Sequence, residues 1–386
     1  MRYLRTPLDL PLVFFVVSAL VGVWASYDPA TSWRKFALIV AAVAIYYAVV
    51  LLRAAPRLLE LFVWLFLIGS AALAVYFVTQ NDYANQSGKF DLITAIGAAI
   101  TRVVPQLPFH VSHPNVVAGA LEIALPVNVA LLASQKLKVK SQKWTSLLAF
   151  CILLFTFALI TFGLLMSASR GAWLALGVVG VAVVLLVVAR GALRRYALPL
   201  ALIAVLAACI GIVQLGEALQ PAFDTLLGAI PAGNSVVSRA ELFGQAWGLI
   251  QDYYFTGSGL GVFPMILSTY ALLIDVPFLT HAHNLFLEFW LEQGLLGFVA
   301  FAWLIIEFYL WVIASRQSPV NSGLSWLAWG GIAATTVMLL HGFVDVGLYS
   351  SRALPLMFVP MGVAIAGRQS AEGSWQEAAE GRVRDW

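Results

Sequence analysis

Residues 145–166 read TSLLAFCILLFTFALITFGLLM, 22 residues without a charged side chain. A helix rises 1.5 Å per residue, so a run of this length covers the roughly 30 Å hydrocarbon core of a bilayer. Hydrocarbon offers the backbone no hydrogen-bond partner, so the run is predicted to be a helix that satisfies its own amides. SASR, 167–170, separates it from a second apolar run at 171–189. The pattern recurs outward in both directions, with further spans predicted at roughly 8–26, 36–52, 58–79, 114–134, 196–215, 294–314, 323–341 and 353–367. The fold class is therefore an all-α polytopic membrane protein with about 10, and up to 12, transmembrane helices.

Composition agrees. The chain has 386 residues, of which 61% are hydrophobic and 11% charged, with a mean hydropathy of +0.90. A soluble domain carries about 25% charged residues. No ten-residue alternation suggests a barrel. A net charge of +3 gives no reason to invoke nucleic acid. Cys151 and Cys209 both fall in apolar runs, which argues against a disulfide framework and against a cysteine metal site. The first run comes after MRYLR with no small-residue cleavage site, so a retained signal anchor is expected.

Lys and Arg placement sets the expected sidedness. With a cytoplasmic N-terminus, 15 of the 22 basic residues fall inside, and seven fall outside: Arg34, Lys35, Lys89, Arg102, Arg170, Arg239 and Arg352. Both termini are then cytoplasmic. The expected organisation is N-terminal transmembrane helices over 1–79, an outer segment at 80–113 and central helices over 114–215. Next come a large outer helical loop at 216–283, C-terminal helices over 284–367 and a disordered cytoplasmic tail at 368–386. Within it, 90–103 and 217–230 are potential re-entrant segments, and 90–103 could lie in the interface. All five histidines, His110, His113, His281, His283 and His341, fall outside or at the outer end of a span. The chemistry is expected at that face.

Arg170 sits in a short outer turn, which the positive-inside rule disfavours. It either snorkels to the interface or meets an anion, and a guanidinium suits phosphate because its planar fork binds two oxygens. Arg239 opens a predicted helix and is either a surface ion-pair partner or a second phosphate ligand. HAHNLFLEFWLEQG, 281–294, places Asn284, Glu288 and Glu292 at i, i+4, i+8, one polar stripe on a helix. His281 and His283 allow three roles: loop-tying hydrogen bonds, a shared metal, or a general base. HPN, 113–115, begins a span, and Glu122 inside that span needs a partner. In HGFVDVGLYSSR, 341–352, His341 and Asp345 are neighbours if helical and either orient a substrate or tie a loop. GSGLG, 257–261, marks a turn more readily than a phosphate loop.

SRGAWLA (169–175), SRAELFGQAWGLIQDYYFTGSGLG (238–261) and HAHNLFLEFWLEQGLLG (281–297), with HPN and HGFVD, resemble the O-antigen ligase and polymerase family. The resemblance implies a GT-C-type membrane glycosyltransferase of the bacterial inner membrane with its active site facing the periplasm. The implied donor is an undecaprenyl-pyrophosphate-linked glycan. The implied acceptor is a hydroxyl of lipid A–core in a ligase or of another lipid-linked glycan in a polymerase. No metal, cofactor or nucleotide sugar is implied. Arg170, Arg239 and His283 look like the family's catalytic positions; Asn284, His113, His341, Asp345 and Arg352 are expected substrate contacts, as is His281, which lies outside the family pattern. A single displacement predicts inversion at the anomeric carbon. A transporter is the rival from another class, but its charges would gather near the midplane in repeated halves. A structural export subunit is a third reading, in which the arginines and His283 are dispensable.

Overall fold

A computed structural model describes residues 6–83, 91–139, 144–190, 239–270, 280–314 and 323–384. The chain divides into two compact units, Met1–Trp173 with Arg239–Trp386, and Leu174–Ser238. The described residues form helices joined by turns, with no strand among them. In chain order the α-helices are α1 (Asp9–Trp24), α2 (Pro29–Leu51), α3 (Pro56–Gln80), α4 (Asp91–Val103), α5 (Pro114–Val139), α6 (Trp144–Met166) and α7 (Arg170–Arg190). They continue as α8 (Arg239–Asp252), α9 (Phe263–Tyr270), α10 (Leu285–Ala314), α11 (Gly323–His341) and α12 (Val359–Arg384).

Local chemistry sets the helix starts. Proline opens α2, α3 and α5, where its missing N–H would be unpaired in any case. Asp28 caps α2 by accepting the Thr31 N–H at 3.2 Å. The faces of α3 show why the chain needs lipid. Leu59, Val63 and Leu67 are fully buried on one side, while Leu58, Leu61, Leu65 and Ile68 are exposed on the other. A helix apolar all round is a membrane helix when its outer face meets no protein.

Among the described residues, six helices are long and apolar enough to cross a membrane: Pro29–Ala54, Pro56–Gln80, Pro114–Ser134, Leu147–Met166, Leu285–Ala314 and Leu324–His341. Asp9–Trp24, Leu92–Val103 and Arg170–Leu186 are shorter apolar helices. The chain is thus a multi-pass membrane protein. The predicted span at 196–215 and the segment 217–230 lie outside the described residues.

Four expectations are revised. The helix predicted at 36–52 begins at Pro29, so Lys35 lies within α2, nine-tenths buried, and is not a loop charge that reports sidedness. The helix predicted at 294–314 begins at Leu285 and bends at Gly294. Residues 353–367 do not form one helix: a short 3-10 turn, Leu354–Leu356, precedes α12. α12 runs on to Arg384 through the tail expected to be disordered, whose Ala, Glu, Gln and Arg residues are good helix formers.

Within the first unit α10 packs on α1 and α8, and α11 lies between α5 and α12. Phe15, Phe289, Phe301, Tyr349 and Phe358 form a buried aromatic core, with Phe289 4.1 Å from Phe301 and 4.2 Å from Tyr349 between ring centroids. This core sits beneath the start of α10 and the 342–353 turn, where the polar groups gather.

Candidate active site

The site grows from the junction of α10 and α11. Asn284 caps α10: its Oδ1 accepts the Phe286 and Leu287 N–H groups at 3.0 Å each. Its Nδ2 donates to the Phe343 carbonyl at 3.0 Å, and the Leu285 N–H reaches the Gly342 carbonyl at 2.7 Å. The HAHN turn and the HGFVD turn, far apart in sequence, are thereby pinned together.

Asp345 is the hub of that junction. Its Oδ1 accepts the Val346 and Gly347 N–H groups at 2.8 and 3.1 Å. Its Oδ2 accepts Asn115 Nδ2 at 2.6 Å and lies 3.2 Å from His283 Nδ1. A carboxylate only accepts, so the His283 proton sits on Nδ1, which leaves Nε2 as the lone-pair nitrogen of the neutral ring. His283 has φ of 50°, a left-handed conformation that side chains with a Cβ rarely adopt. Such strain persists only where the surroundings over-determine it, and it clusters at functional sites. The His283 side chain is 22% exposed, so a substrate can reach it.

His281 stacks on His283 with ring centroids 4.2 Å apart. Its Nδ1 lies 2.8 Å from Thr280 Oγ1, and its Nε2 lies 3.8 Å from Asp345 Oδ1. Burial raises the Asp345 pKa, but the His283 hydrogen bond and the two neighbouring imidazoles outweigh it and hold the carboxyl well below the usual range. Burial pushes the His281 imidazole below its ordinary value. The unfolded chain therefore takes up a proton at His281 near pH 6.5, where the folded site resists it. Stability present above about pH 6.5 is lost as the pH falls toward the lower folded value. The melting temperature is expected to drop less between about pH 7.5 and 5.5 in H281Q than in the wild type.

His341 and Glu122 form a second pair. His341 Nδ1 lies 2.9 Å from the Glu122 carboxylate, both side chains buried, which supplies the partner that Glu122 required. The sequence expectation paired His341 with Asp345. In the fold Asp345 also faces α5 through Asn115, and His341 faces α5 through Glu122.

Arg170 is exposed at the start of α7. The turn before it holds Ala168 at φ of 51°, with Ser167 Oγ donating to the Leu164 carbonyl at 2.7 Å. Gly171 brings this turn against the HGFVD segment. A Cβ on Gly171 would meet His341 Cδ2 and Val344 Cγ2 at 2.8 Å each. His341 is buried and held by Glu122, so it cannot yield freely. G171V is expected to cost about 1–3 kcal/mol of overpacking, read as a lower unfolding midpoint in detergent, with G171A less affected.

The other predicted positions divide. Arg239 begins α8, and its side chain lies outside the described residues. His113 is exposed and its carbonyl accepts the Val116 and Val117 N–H groups at the start of α5. Arg352 is exposed on the turn after Tyr349. The fold thus brings His281, His283, Asn284 and Asp345 into one cluster.

Sequence reasoning missed Asn115, Lys35 and Tyr349. Lys35 Nζ lies 2.7 Å from Glu292 Oε1 and 3.9 Å from the Tyr349 ring centroid. Glu292 also accepts the Gly261 N–H at 2.6 Å and the Tyr349 hydroxyl at 2.8 Å. Asn115 could have been found through HPN, where a polar residue comes directly after a helix-opening proline. GSGLG is a close-packing turn, as its glycines suggested. The Ser258 N–H reaches the Leu291 carbonyl at 2.7 Å, just before the bend at Gly294, which has φ of 67°.

The ligand atoms of His281, His283 and Asp345 lie within 4.8 Å of one another, so the trio could hold a cation. The same atoms also make a histidine held by a carboxylate, in a chain whose α7 opens on an exposed arginine. A search of the curated proteins finds no significant match. Residues 155–302, which carry Arg170, Arg239 and the whole HAHN stretch, match the family model described as O-antigen ligase.

Proposed function

We propose that the protein transfers a glycan from undecaprenyl pyrophosphate to an acceptor hydroxyl at the outer leaflet, as an O-antigen ligase acting on lipid A–core. The observation that carries this reading is the His283–Asp345 pair. His283 Nε2 takes the acceptor's hydroxyl proton as its oxygen bonds to the anomeric carbon. The bond from that carbon to the pyrophosphate oxygen breaks, and its electron pair leaves with the pyrophosphate. The anomeric centre inverts. Asp345 orients the ring and stabilises the imidazolium that forms.

Arg170 and Arg239 bind the leaving pyrophosphate, whose charge grows in the transition state. Stabilising that growth accelerates the step, whereas binding the ground state equally well would not. Both Asp345 oxygens already accept hydrogen bonds from Asn115, Val346 and Gly347, which favours an orienting carboxylate over a metal ligand. The family's second activity, polymerisation of lipid-linked repeats, uses the same chemistry with a glycan acceptor.

The test is transfer in proteoliposomes containing lipid-linked glycan. Addition of lipid A–core should give a ligated product and free undecaprenyl pyrophosphate, unaffected by EDTA. Elongation of lipid-linked repeats without lipid A–core would identify a polymerase. R170A and R239A should each lower kcat about 10²–10³-fold. Undiminished transfer in both would refute the leaving-group role, and flux of the lipid-linked glycan without transfer would identify a transporter.

A further inference from the structure

Glu288 and Glu292 sit one turn apart on α10, 1% and 0% exposed. Their surroundings differ. Glu292 is saturated by charge-compensating and neutral donors: Lys35 Nζ at 2.7 Å, the Gly261 N–H at 2.6 Å and the Tyr349 hydroxyl at 2.8 Å. It is the carboxylate of a buried ion pair. Glu288 Oε2 accepts one backbone donor, the Ala282 N–H, at 2.7 Å. Ala282 is fully buried and lies between His281 and His283. Glu292 is the neighbouring carboxylate, one turn along the same helix.

Charge counting then separates the two acids. Lys35 is the one cation bonded to this pair among the described residues, and Glu292 takes it. A second buried carboxylate beside Glu292 would be unpaired and repelled. A protonated Glu288 has neither problem. One of its oxygens accepts the Ala282 N–H, and the uncharged acid is not repelled by the Glu292 carboxylate.

The Ala282 bond matters because Ala282 adjoins His283. His283 holds a left-handed backbone, so the turn that aims its ring is not a default conformation of the chain. Asn284 fixes the turn from below through the Phe343 carbonyl, and Asp345 fixes the imidazole. Glu288 supplies the remaining tie, on the peptide that joins the two histidine-bearing halves of the turn.

We infer that Glu288 is a positioning residue that works as a neutral carboxylic acid, holding the His281–Ala282–His283 turn and through it the His283 ring. The role rests on the reading of His283 as proton acceptor. Glu288 touches no reacting atom. It fixes a geometry, and a misplacement of about 1 Å at a reacting group can cost about 10²-fold in rate.

Two variants and one spectrum test this. In E288Q the amide oxygen accepts the Ala282 N–H without a charge, so kcat and its pH profile should match the wild type. In E288A the acceptor is gone, and kcat should fall about 10²-fold with KM for the lipid-linked donor little changed. The infrared spectrum of wild type minus E288Q should contain a protonated carboxylic acid band. A folded E288Q as impaired as E288A, a fully active E288A, or the absence of that band would each overturn the inference. The infrared result needs no activity, so it stands even if E288A does not fold. If the wild type itself transfers no glycan, the proposed function fails, and the band still decides the protonation state.

Discussion

H283A is expected to lower glycan transfer about 10²–10⁴-fold in kcat, with KM for the lipid-linked donor nearly unchanged. The imidazole is the one group in the cluster with a lone-pair nitrogen, partial exposure and a carboxylate on its other nitrogen. Its removal leaves the acceptor hydroxyl to attack without a base while Arg170 and Arg239, the proposed pyrophosphate ligands, remain. D345N should mimic part of the loss. An amide can donate to Nδ1 and so favour the wrong tautomer, and it cannot compensate an imidazolium. Steady-state transfer kinetics on purified, folded variants check both. A loss of less than tenfold in H283A would show that proton removal is not rate-relevant, or that another group performs it.

K35A is expected to destabilise the protein by about 3–5 kcal/mol, because it leaves the Glu292 carboxylate buried without its cation. The effect should exceed that of E292Q, which removes the charge and keeps an acceptor for the Gly261 N–H. The double variant K35M/E292Q should recover much of the loss, since both charges are gone and the lysine stem is replaced by an apolar chain of similar length. Unfolding in a graded denaturant series in detergent reads all three. If K35A unfolds at the wild-type midpoint, then Glu292 is not held as a carboxylate by Lys35.

The two predictions touch connected parts of one network. Glu292 ties α2, the GSGLG turn and Tyr349 to α10. Gln293 extends it, accepting from Ser18 on α1 and donating to the Tyr349 hydroxyl, each at 2.8 Å. Burial and the neighbouring Glu292 push the Tyr349 hydroxyl well above its ordinary pKa, so it remains a donor throughout the working pH range. The rigid base carries the strained His283 turn above it.

Much of this was legible in the chain itself. Runs such as 145–166 have to be helices, because lipid cannot satisfy an open backbone. The i, i+4, i+8 spacing of Asn284, Glu288 and Glu292 required one helical face. A lone carboxylate such as Glu122 inside a span required a partner. The identity of the partners was not legible. Lys35 and Glu292 are 257 residues apart, Asn115 and Asp345 are 230 apart, and Glu122 and His341 are 219 apart. Periodicity along a chain reports which face of a helix a residue occupies. It says nothing about which helix that face meets, because that depends on how the whole set of apolar surfaces packs. Sequence alone therefore determined a helical membrane body with histidines and arginines at its helix ends. Only the tertiary structure decided that His283 meets Asp345, that Glu292 meets Lys35, and that Glu288 is left to the Ala282 amide.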